Sequence, residues 1–143
     1  MLRLLCVLMG LATFSAWAQP LKISADEALR KANSGEMTIV DIRLPMEWEK
    51  TGLPATAIGI SLQDEAFKPR EEFVDDLLKL VDGDRSAPIA LICATGARSA
   101  YAERLLAANG FTNLHDITEG MLGGPNGPGW TQRKLPTSPC LTC

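Results

Sequence analysis

One stretch, residues 88–108, most constrains what this chain can fold into. It begins with a short apolar run from Ile89 to Ile92, stops at Cys93, passes through a small loop that contains Gly96, and enters a helical segment near Arg98. An apolar run, a glycine-containing loop and a helical segment in this order predict a buried strand, a tight turn and a helix. A thiol therefore stands at a strand-to-helix turn.

Such a turn favours thiolate chemistry. Where a buried strand enters a helix through a tight loop, backbone N–H groups converge and the helix dipole adds partial positive charge. Held there, the Cys93 sulfur would be stabilised as a thiolate and act as a nucleophile at ordinary pH. The expected loop and substrate-binding residues are Ala94, Thr95, Gly96, Ala97, Arg98 and Ser99. The alternative is a buried cysteine without chemistry, since free cysteine is often buried.

Three sequence elements, in this order along the chain, resemble the rhodanese (sulfurtransferase) family. They are Asp41-Ile42-Arg43 with Glu47 and Gly52 after it, the C-x-x-G-x-R of residues 93–98 followed by Ser99, and Gly123-Gly124 with Gly129-Trp130 and Leu135-Pro136. Together they cover most of residues 21–136. Residues 52–57, Gly-Leu-Pro-Ala-Thr-Ala, depart from the G-H-I-P-G-A that the family commonly has at this place.

The resemblance implies a sulfurtransferase without a cofactor. Cys93 would take sulfane sulfur from a small anionic, thiosulfate-like donor, hold it as a persulfide, and pass it to a thiol or to cyanide. A protein is a further candidate sulfur acceptor. Asp41 and Arg43 would support the structure, whereas Arg98 would either assist the donor anion or pair with an acid and brace the loop.

Two other function classes stay open. A cysteine-dependent phosphatase or arsenate reductase of related fold would use a similar loop, but the phosphatase signature has five residues between Cys and Arg, where Cys93 and Arg98 enclose four. The other is a thiol redox or sulfur-binding module that works through the C-x-x-C of Cys140 and Cys143. In an oxidising compartment these two cysteines would form a disulfide and leave Cys93 as the odd thiol.

Apolar periodicity predicts strands that alternate with helices. Strands are expected at residues 21–23, 38–42, 57–60, 89–92 and 113–117, and helices at 24–31, from Pro45, at 71–81 and at 99–108. The last helix has Tyr101, Leu105 and Ala108 on one side, and residues 120–139, rich in Gly and Pro, are expected to form a helical turn and then irregular coil. The alternation predicts an α/β fold with a parallel sheet of about five strands and helices on both faces.

The first 19 residues have the features of a secretory signal peptide. Arg3 supplies the positive charge, residues 4–14 the apolar region, and Ala16-Trp17-Ala18 a cleavage site. We therefore expect a periplasmic or secreted protein with no membrane attachment after cleavage, a single domain at residues 20–136, and a tail at residues 137–143.

Charge and residue types exclude several partners. Cleavage removes Arg3 and no acid, so the mature chain carries 13 basic and 17 acidic residues and a net charge of −4. An acidic domain without a basic run is unsuited to nucleic acid or to anionic lipid. The single histidine, His115, is interpreted as a surface or packing residue, and no cysteine, histidine and carboxylate cluster has the spacing of a metal site.

Overall fold

The computed structural model describes residues 21–140 and has an α/β fold. The strands are β1 (Leu21–Lys22), β2 (Thr38–Asp41), β3 (Leu53–Pro54), β4 (Ile58–Gly59), β5 (Ile89–Ile92), β6 (Leu114–Asp116) and β7 (Thr137–Ser138). The helices are α1 (Ala25–Asn33), α2 (Pro45–Thr51), α3 (Phe73–Leu80) and α4 (Ala97–Ala108). Five strands form a parallel sheet in the order β1-β6-β5-β2-β4, which confirms the predicted fold class.

The sheet separates two apolar cores. Because side chains alternate along a strand, Val40, Leu91 and Cys93 pack on the side of α3 and α4, whereas Ile39 and Ile92 pack on the side of α1. Helices therefore cover both faces, as the alternation of elements predicts. This alternation also places Cys93 at the carboxyl end of the central strand and on the same side as α4.

Two helix starts follow from their capping residues. At α1 the hydroxyl of Ser24 accepts a hydrogen bond from the N–H of Glu27 at 3.3 Å, as the sequence predicts for an N-cap serine. At α2 Pro45 occupies the first turn, and the carboxylate of Glu47 accepts from the N–H of Leu44 at 2.9 Å. Both helices thus begin where local side chains satisfy backbone donors that the helix leaves unpaired.

The predicted irregular coil at residues 120–139 is wrong at its end. Residues Thr137–Ser138 form β7, which pairs antiparallel with β3. Gly52, which precedes β3, has φ +73, and a Cβ there would stand 2.7 Å from the carbonyl oxygen of Ser138. The pairing therefore depends on a glycine at position 52, and two-residue strands are too short to show a period in the sequence.

The buried side of α4 is not the apolar side found in the sequence. Tyr101 and Ala108 are exposed and Leu105 is half-buried. The side that meets the sheet is formed by Ser99, Ala102, Glu103 and Leu106. Apolar spacing misidentified it because two of these four side chains are polar.

Two sequence predictions lie outside the described residues. These are the signal peptide at residues 1–19 and the second cysteine of the tail, Cys143, and both stay predictions. None of the four helices within residues 21–140 has the length and apolar character that crossing a bilayer takes.

A buried carboxyl pair lies between α4 and β6. Glu103 is 5 % exposed and Asp116 is 4 % exposed, and within residues 21–140 neither forms an ion pair. Burial raises the pKa of Asp116, and the Ser99 hydroxyl and Lys22 offset this only in part. Burial and the neighbouring Asp116 together raise the pKa of Glu103 to about 7, against a smaller opposing effect of Arg104.

We predict that Glu103 makes the protein less stable as the pH rises from about 4.5 to about 7. A raised carboxyl pKa means that the folded chain binds more protons than the unfolded chain in this window, so the free energy of unfolding falls by up to about 3 kcal/mol and is constant above it. Glu103→Gln should remove this fall and be more stable than the parent at pH 8, measured by urea unfolding at both pH values. The exposed Glu49→Gln in α2 serves as the matched control, and an equal gain for both variants would contradict the prediction.

The second core is closed by Trp130. This side chain is fully buried and its Nε1–H donates to the carbonyl of Pro136 at 2.9 Å. Trp48 is nearly as buried, but within the described residues its Nε1–H has no hydrogen-bond partner. The two indoles thus differ mainly in whether a buried donor is satisfied.

We predict that Trp130→Phe costs more stability than Trp48→Phe. Both substitutions remove similar volume, but only the first breaks a hydrogen bond, which adds about 0.5–1.5 kcal/mol; the carbonyl of Pro136 keeps the N–H of Ala55 as a donor at 3.0 Å. Thermal or urea unfolding of the two variants measures the difference. Equal losses would show that the Trp130 hydrogen bond adds nothing.

Candidate functional site

The candidate site is the junction of β5 and α4. Cys93 follows the last residue of β5, and Gly96 caps α4 with a left-handed φ of +97. A Cβ at Gly96 would also overlap the carbonyl oxygen of Thr118. Both the backbone angle and the packing therefore require glycine at this position.

The sulfur of Cys93 is held by two groups. The N–H of Gly96 donates to Cys93 Sγ at 3.1 Å, and Ser99 Oγ lies 3.5 Å from the same sulfur. The Ser99 hydroxyl also donates to the carbonyl of Gly96 at 3.1 Å. Since the sulfur lies at the first turn of a 12-residue helix, the helix dipole adds positive potential there.

The remaining predicted loop residues do not contact the sulfur by hydrogen bonds in the described part of the chain. Thr95 and Ala97 are exposed, and Ala94 is half-buried. The predicted cradle of several N–H donors is thus reduced to the single N–H of Gly96 with the hydroxyl of Ser99. Cys93 itself is only 1 % exposed, so the loop closes over the thiol.

A second segment, residues 120–122, holds the loop from outside. The N–H of Met121 donates to the carbonyl of Cys93 at 2.8 Å, and that of Leu122 donates to the carbonyl of Ala94 at 2.9 Å. Gly120 approaches the loop so closely that a Cβ would overlap the carbonyl of Ala94. Its own carbonyl accepts from the N–H of Trp130 at 2.9 Å, which ties this segment to the buried indole.

Arg98 pairs with an acid. Its two terminal nitrogens each lie 2.7 Å from a carboxylate oxygen of Glu47, and both side chains are about a quarter exposed. Burial alone would raise the pKa of Glu47, but hydrogen bonds from Arg98 and from the N–H of Leu44 lower it. The hydrogen bonds to Glu47 and a weaker attraction to Cys93 raise the pKa of Arg98.

This pairing matches one of the two roles considered for Arg98. A bidentate carboxylate contact occupies the guanidinium and joins the first turn of α4 to the first turn of α2. In this structure the Arg98 side chain braces the loop, and its role in substrate binding stays a prediction. Glu47 was identified only through the family motif, because a partner 51 residues away leaves no local signal.

Asp41 and Arg43 form the expected structural support. Arg43 Nη2 lies 2.6 Å from Asp41 Oδ2, and both residues are almost completely buried. Arg43 also donates to Thr51 Oγ1 at 2.8 Å and to the carbonyl of Gly52 at 2.9 Å. The pair therefore connects the end of β2 to the end of α2, and its buried charges are satisfied by hydrogen bonds.

The other polar candidates do not meet the thiol. His115 is half-buried and its Nε2 lies 3.1 Å from Asn113 Oδ1, while burial and then Lys31 lower the pKa of His115. Cys140 is disulfide-bonded, whereas Cys93 is free. Because Cys143 lies outside the described residues, its pairing with Cys140 stays a prediction. Within residues 21–140, no His, Cys, Asp and Glu side chains are grouped to hold a metal ion.

A cavity of about 260 Å³ opens beside the first turns of α4. Its lining residues come from α4 and from the connection between β4 and α3: Leu62, Gln63, Pro69, Ala97, Arg98 and Tyr101. A larger cavity of about 600 Å³ lies between α2 and the same connection and does not include the loop residues 93–98. The smaller cavity borders the loop at Ala97 and Arg98, but Cys93 does not line it.

Comparison with solved structures supports the fold. A crystal structure of Rv0390 from M. tuberculosis has a TM-score of 0.68 at 21 % identity, covering 85 % of this chain and 98 % of that one. The polysulfide-sulfur transferase homodimer of Wolinella succinogenes has a TM-score of 0.62 at 23 % identity, covering 85 % and 80 %. A protein from Rhodopseudomonas palustris described as a possible tyrosine phosphatase has a TM-score of 0.58 at 21 % identity, covering 83 % and 85 %.

Sequence comparison identifies the family. The uncharacterised protein RP600 of Rickettsia prowazekii is 30 % identical over 98 residues, which is 68 % of this chain and 80 % of the relative. The family model of the rhodanese-like domain matches residues 24–123, a range that includes β2, β5, α4 and the whole Cys93 loop. The chain belongs to the rhodanese-like domain family.

Proposed function

We propose that this protein is a sulfurtransferase whose nucleophile is Cys93. The observation that carries the proposal is the N–H of Gly96 pointing at a free thiol, 3.1 Å away, at the start of α4. A donated N–H and a helix N-terminus stabilise a thiolate, so the sulfur needs no neighbouring base. The family and the polysulfide-sulfur transferase among the similar structures support the same chemistry.

The proposed reaction has two steps that are balanced without a redox cofactor. The Cys93 thiolate attacks the sulfane sulfur of an anionic donor, a sulfur–sulfur bond forms, and the donor leaves with the electron pair of its broken bond. An acceptor thiolate or cyanide then attacks the outer sulfur of the persulfide, and the Cys93 thiolate leaves. Because Cys93 is 1 % exposed, we propose that the loop opens outward at the exposed Thr95 in both steps.

The electrostatics of the site bear on the donor. Ala94, Thr95 and Ala97 are uncharged, and the guanidinium of Arg98 is occupied by Glu47. A dianion such as thiosulfate would therefore meet no free cation of the loop. A singly charged persulfide or polysulfide needs less compensating positive charge. We propose the singly charged class, or a protein-bound persulfide, as the better donor.

The same observations disfavour the phosphatase alternative. An oxyanion held in a loop of this kind needs a cation to stabilise its charge. Four residues separate Cys93 from Arg98, one fewer than in the phosphatase signature, and Arg98 is turned to Glu47. A loop that encloses one sulfur atom is a better description of this geometry.

We predict that Cys93→Ser abolishes sulfur loading. After incubation with a persulfide or thiosulfate donor, the parent protein should gain about 32 Da, the mass of one sulfur atom, and the variant should gain nothing. Intact-mass analysis measures both, and circular dichroism checks that the variant is folded. Removing residues 139–143 is the control for the redox-module alternative: loading of Cys93 should persist without the tail. Sulfur loading of the Cys93→Ser variant would overturn the proposal.

We predict that Arg98 affects stability more than donor binding. Arg98→Ala, Glu47→Gln and the double variant should give a coupling free energy of about 1–2 kcal/mol in urea unfolding, because the bidentate pair is partly shielded from water. Glu47→Gln keeps an acceptor for the N–H of Leu44 but releases Arg98. It should therefore lower the KM for thiosulfate more than it lowers the KM for a singly charged persulfide. A tenfold rise in the thiosulfate KM on Arg98→Ala alone would show instead that Arg98 leaves Glu47 to bind the donor.

A further inference from the structure

The carboxyl pair of Glu103 and Asp116 lies on the same side of the sheet as the candidate nucleophile. Ser99 and Glu103 are one helical turn apart on the buried face of α4, and Asp116 faces them from the end of β6. Ser99 Oγ also lies 3.5 Å from Cys93 Sγ, and its hydroxyl stabilises the Asp116 carboxylate. Ser99 therefore connects the thiol with Asp116 of the carboxyl pair.

The hydroxyl of Ser99 has one proton and several acceptors around it. The carbonyl of Gly96 lies at 3.1 Å, Cys93 Sγ at 3.5 Å, and the Asp116 carboxylate is stabilised by the same hydroxyl. Asp116 Oδ1 is buried and has no hydrogen-bond partner in the described part of the chain. A hydroxyl can donate only once, so an acceptor that gains negative charge draws the proton from the others.

We propose that the Glu103–Asp116 pair is a proton-dependent positioning element that acts on Cys93 through Ser99. With one proton on the pair, the pair carries a single negative charge, and Ser99 is free to donate towards the loop and the sulfur. When that proton is lost to solvent, the doubly charged pair holds the Ser99 proton and adds negative charge on the same side of the sheet as the sulfur. Both effects disfavour the thiolate, so the nucleophile weakens as the pair ionises.

The charged groups around the pair do not cancel this effect. Lys22 on β1 and Arg104 on α4 favour the charged carboxylates, but both are exposed and neither forms an ion pair with them. His115, next to Asp116 in β6, is influenced by Lys31 and Glu27 instead. Arg98, on the first turn of α4, is paired with Glu47. Burial leaves Glu103 with a pKa of about 7, which is where the pair would ionise.

The test is the pH dependence of Cys93 alkylation by iodoacetamide between pH 5.5 and 8.5. Glu103→Gln mimics the protonated residue at every pH, so its rate should equal that of the parent at pH 5.5 and exceed it about three- to tenfold at pH 8.5, with the midpoint of the change near pH 7. Glu103→Ala should behave like Glu103→Gln, because the charge and not the shape of the side chain is removed. In a Ser99→Ala background, the difference in alkylation rate that Glu103→Gln produces near pH 7 should be strongly reduced, since the group that connects the pair to the sulfur is removed. The exposed Glu49→Gln should leave the profile of the parent unchanged.

A ratio of rates that is constant from pH 5.5 to pH 8.5 would overturn the inference, because a merely structural effect of Glu103 has no step near pH 7. A step that is unchanged by Ser99→Ala would overturn the route through Ser99. This role of the carboxyl pair rests on the proposed function, because the pair would regulate its nucleophile. Alkylation of Cys93, however, does not require sulfur transfer. If the alkylation rate of Cys93 shows the pH-dependent change but Cys93 never gains sulfur, the proposed function is refuted and this inference stands. If Cys93 gains sulfur but its alkylation rate lacks the change near pH 7, this inference is refuted and the proposed function stands.

Discussion

The rest of the site depends on how the backbone is held where β5 ends. The carbonyl of Cys93 accepts the N–H of Met121, and the carbonyl of Ala94 accepts that of Leu122. With these two groups fixed, the chain turns at Gly96, whose N–H then points back at the sulfur. Because residues 120–122 are themselves tied to the buried Trp130, the second apolar core positions a loop that lies on the other side of the sheet.

Charge around the thiol is arranged differently from what its residue types suggest. An arginine five residues after a cysteine, at a helix N-terminus, looks like an anion-binding group, but Glu47 neutralises it. The positive potential at the sulfur therefore comes mainly from the helix dipole and one backbone donor, with a weaker contribution from Arg98. These are fixed dipoles, which do not need to reorganise when the sulfur becomes charged, and they suit a single sulfur atom better than a multiply charged oxyanion.

Two buried carboxyl groups on this side of the sheet are costly in an apolar interior unless one of them holds a proton. Satisfied polar groups elsewhere in the core show the contrast: Asp41 and Arg43 are buried as a hydrogen-bonded ion pair, and Glu119 accepts the N–H of Ala25 and pairs with Arg133. Glu103 has no comparable partner within residues 21–140. Burying Glu103 without such a partner is costly, and this cost is the reason for assigning Glu103 a role in the proton dependence of the site.

The sequence by itself determined the α/β class, the parallel sheet and the place of Cys93, because apolar periods and the strand-to-helix turn are local properties of neighbouring residues. It also determined the order of the motifs that place the chain in its family. Only the tertiary structure decided that Arg98 meets Glu47, that Glu103 faces Asp116, and that β7 pairs with β3. Each of these three contacts joins residues that are distant in the chain. The energy of such a contact depends on burial and on proximity in space, which residue spacing within one segment does not encode.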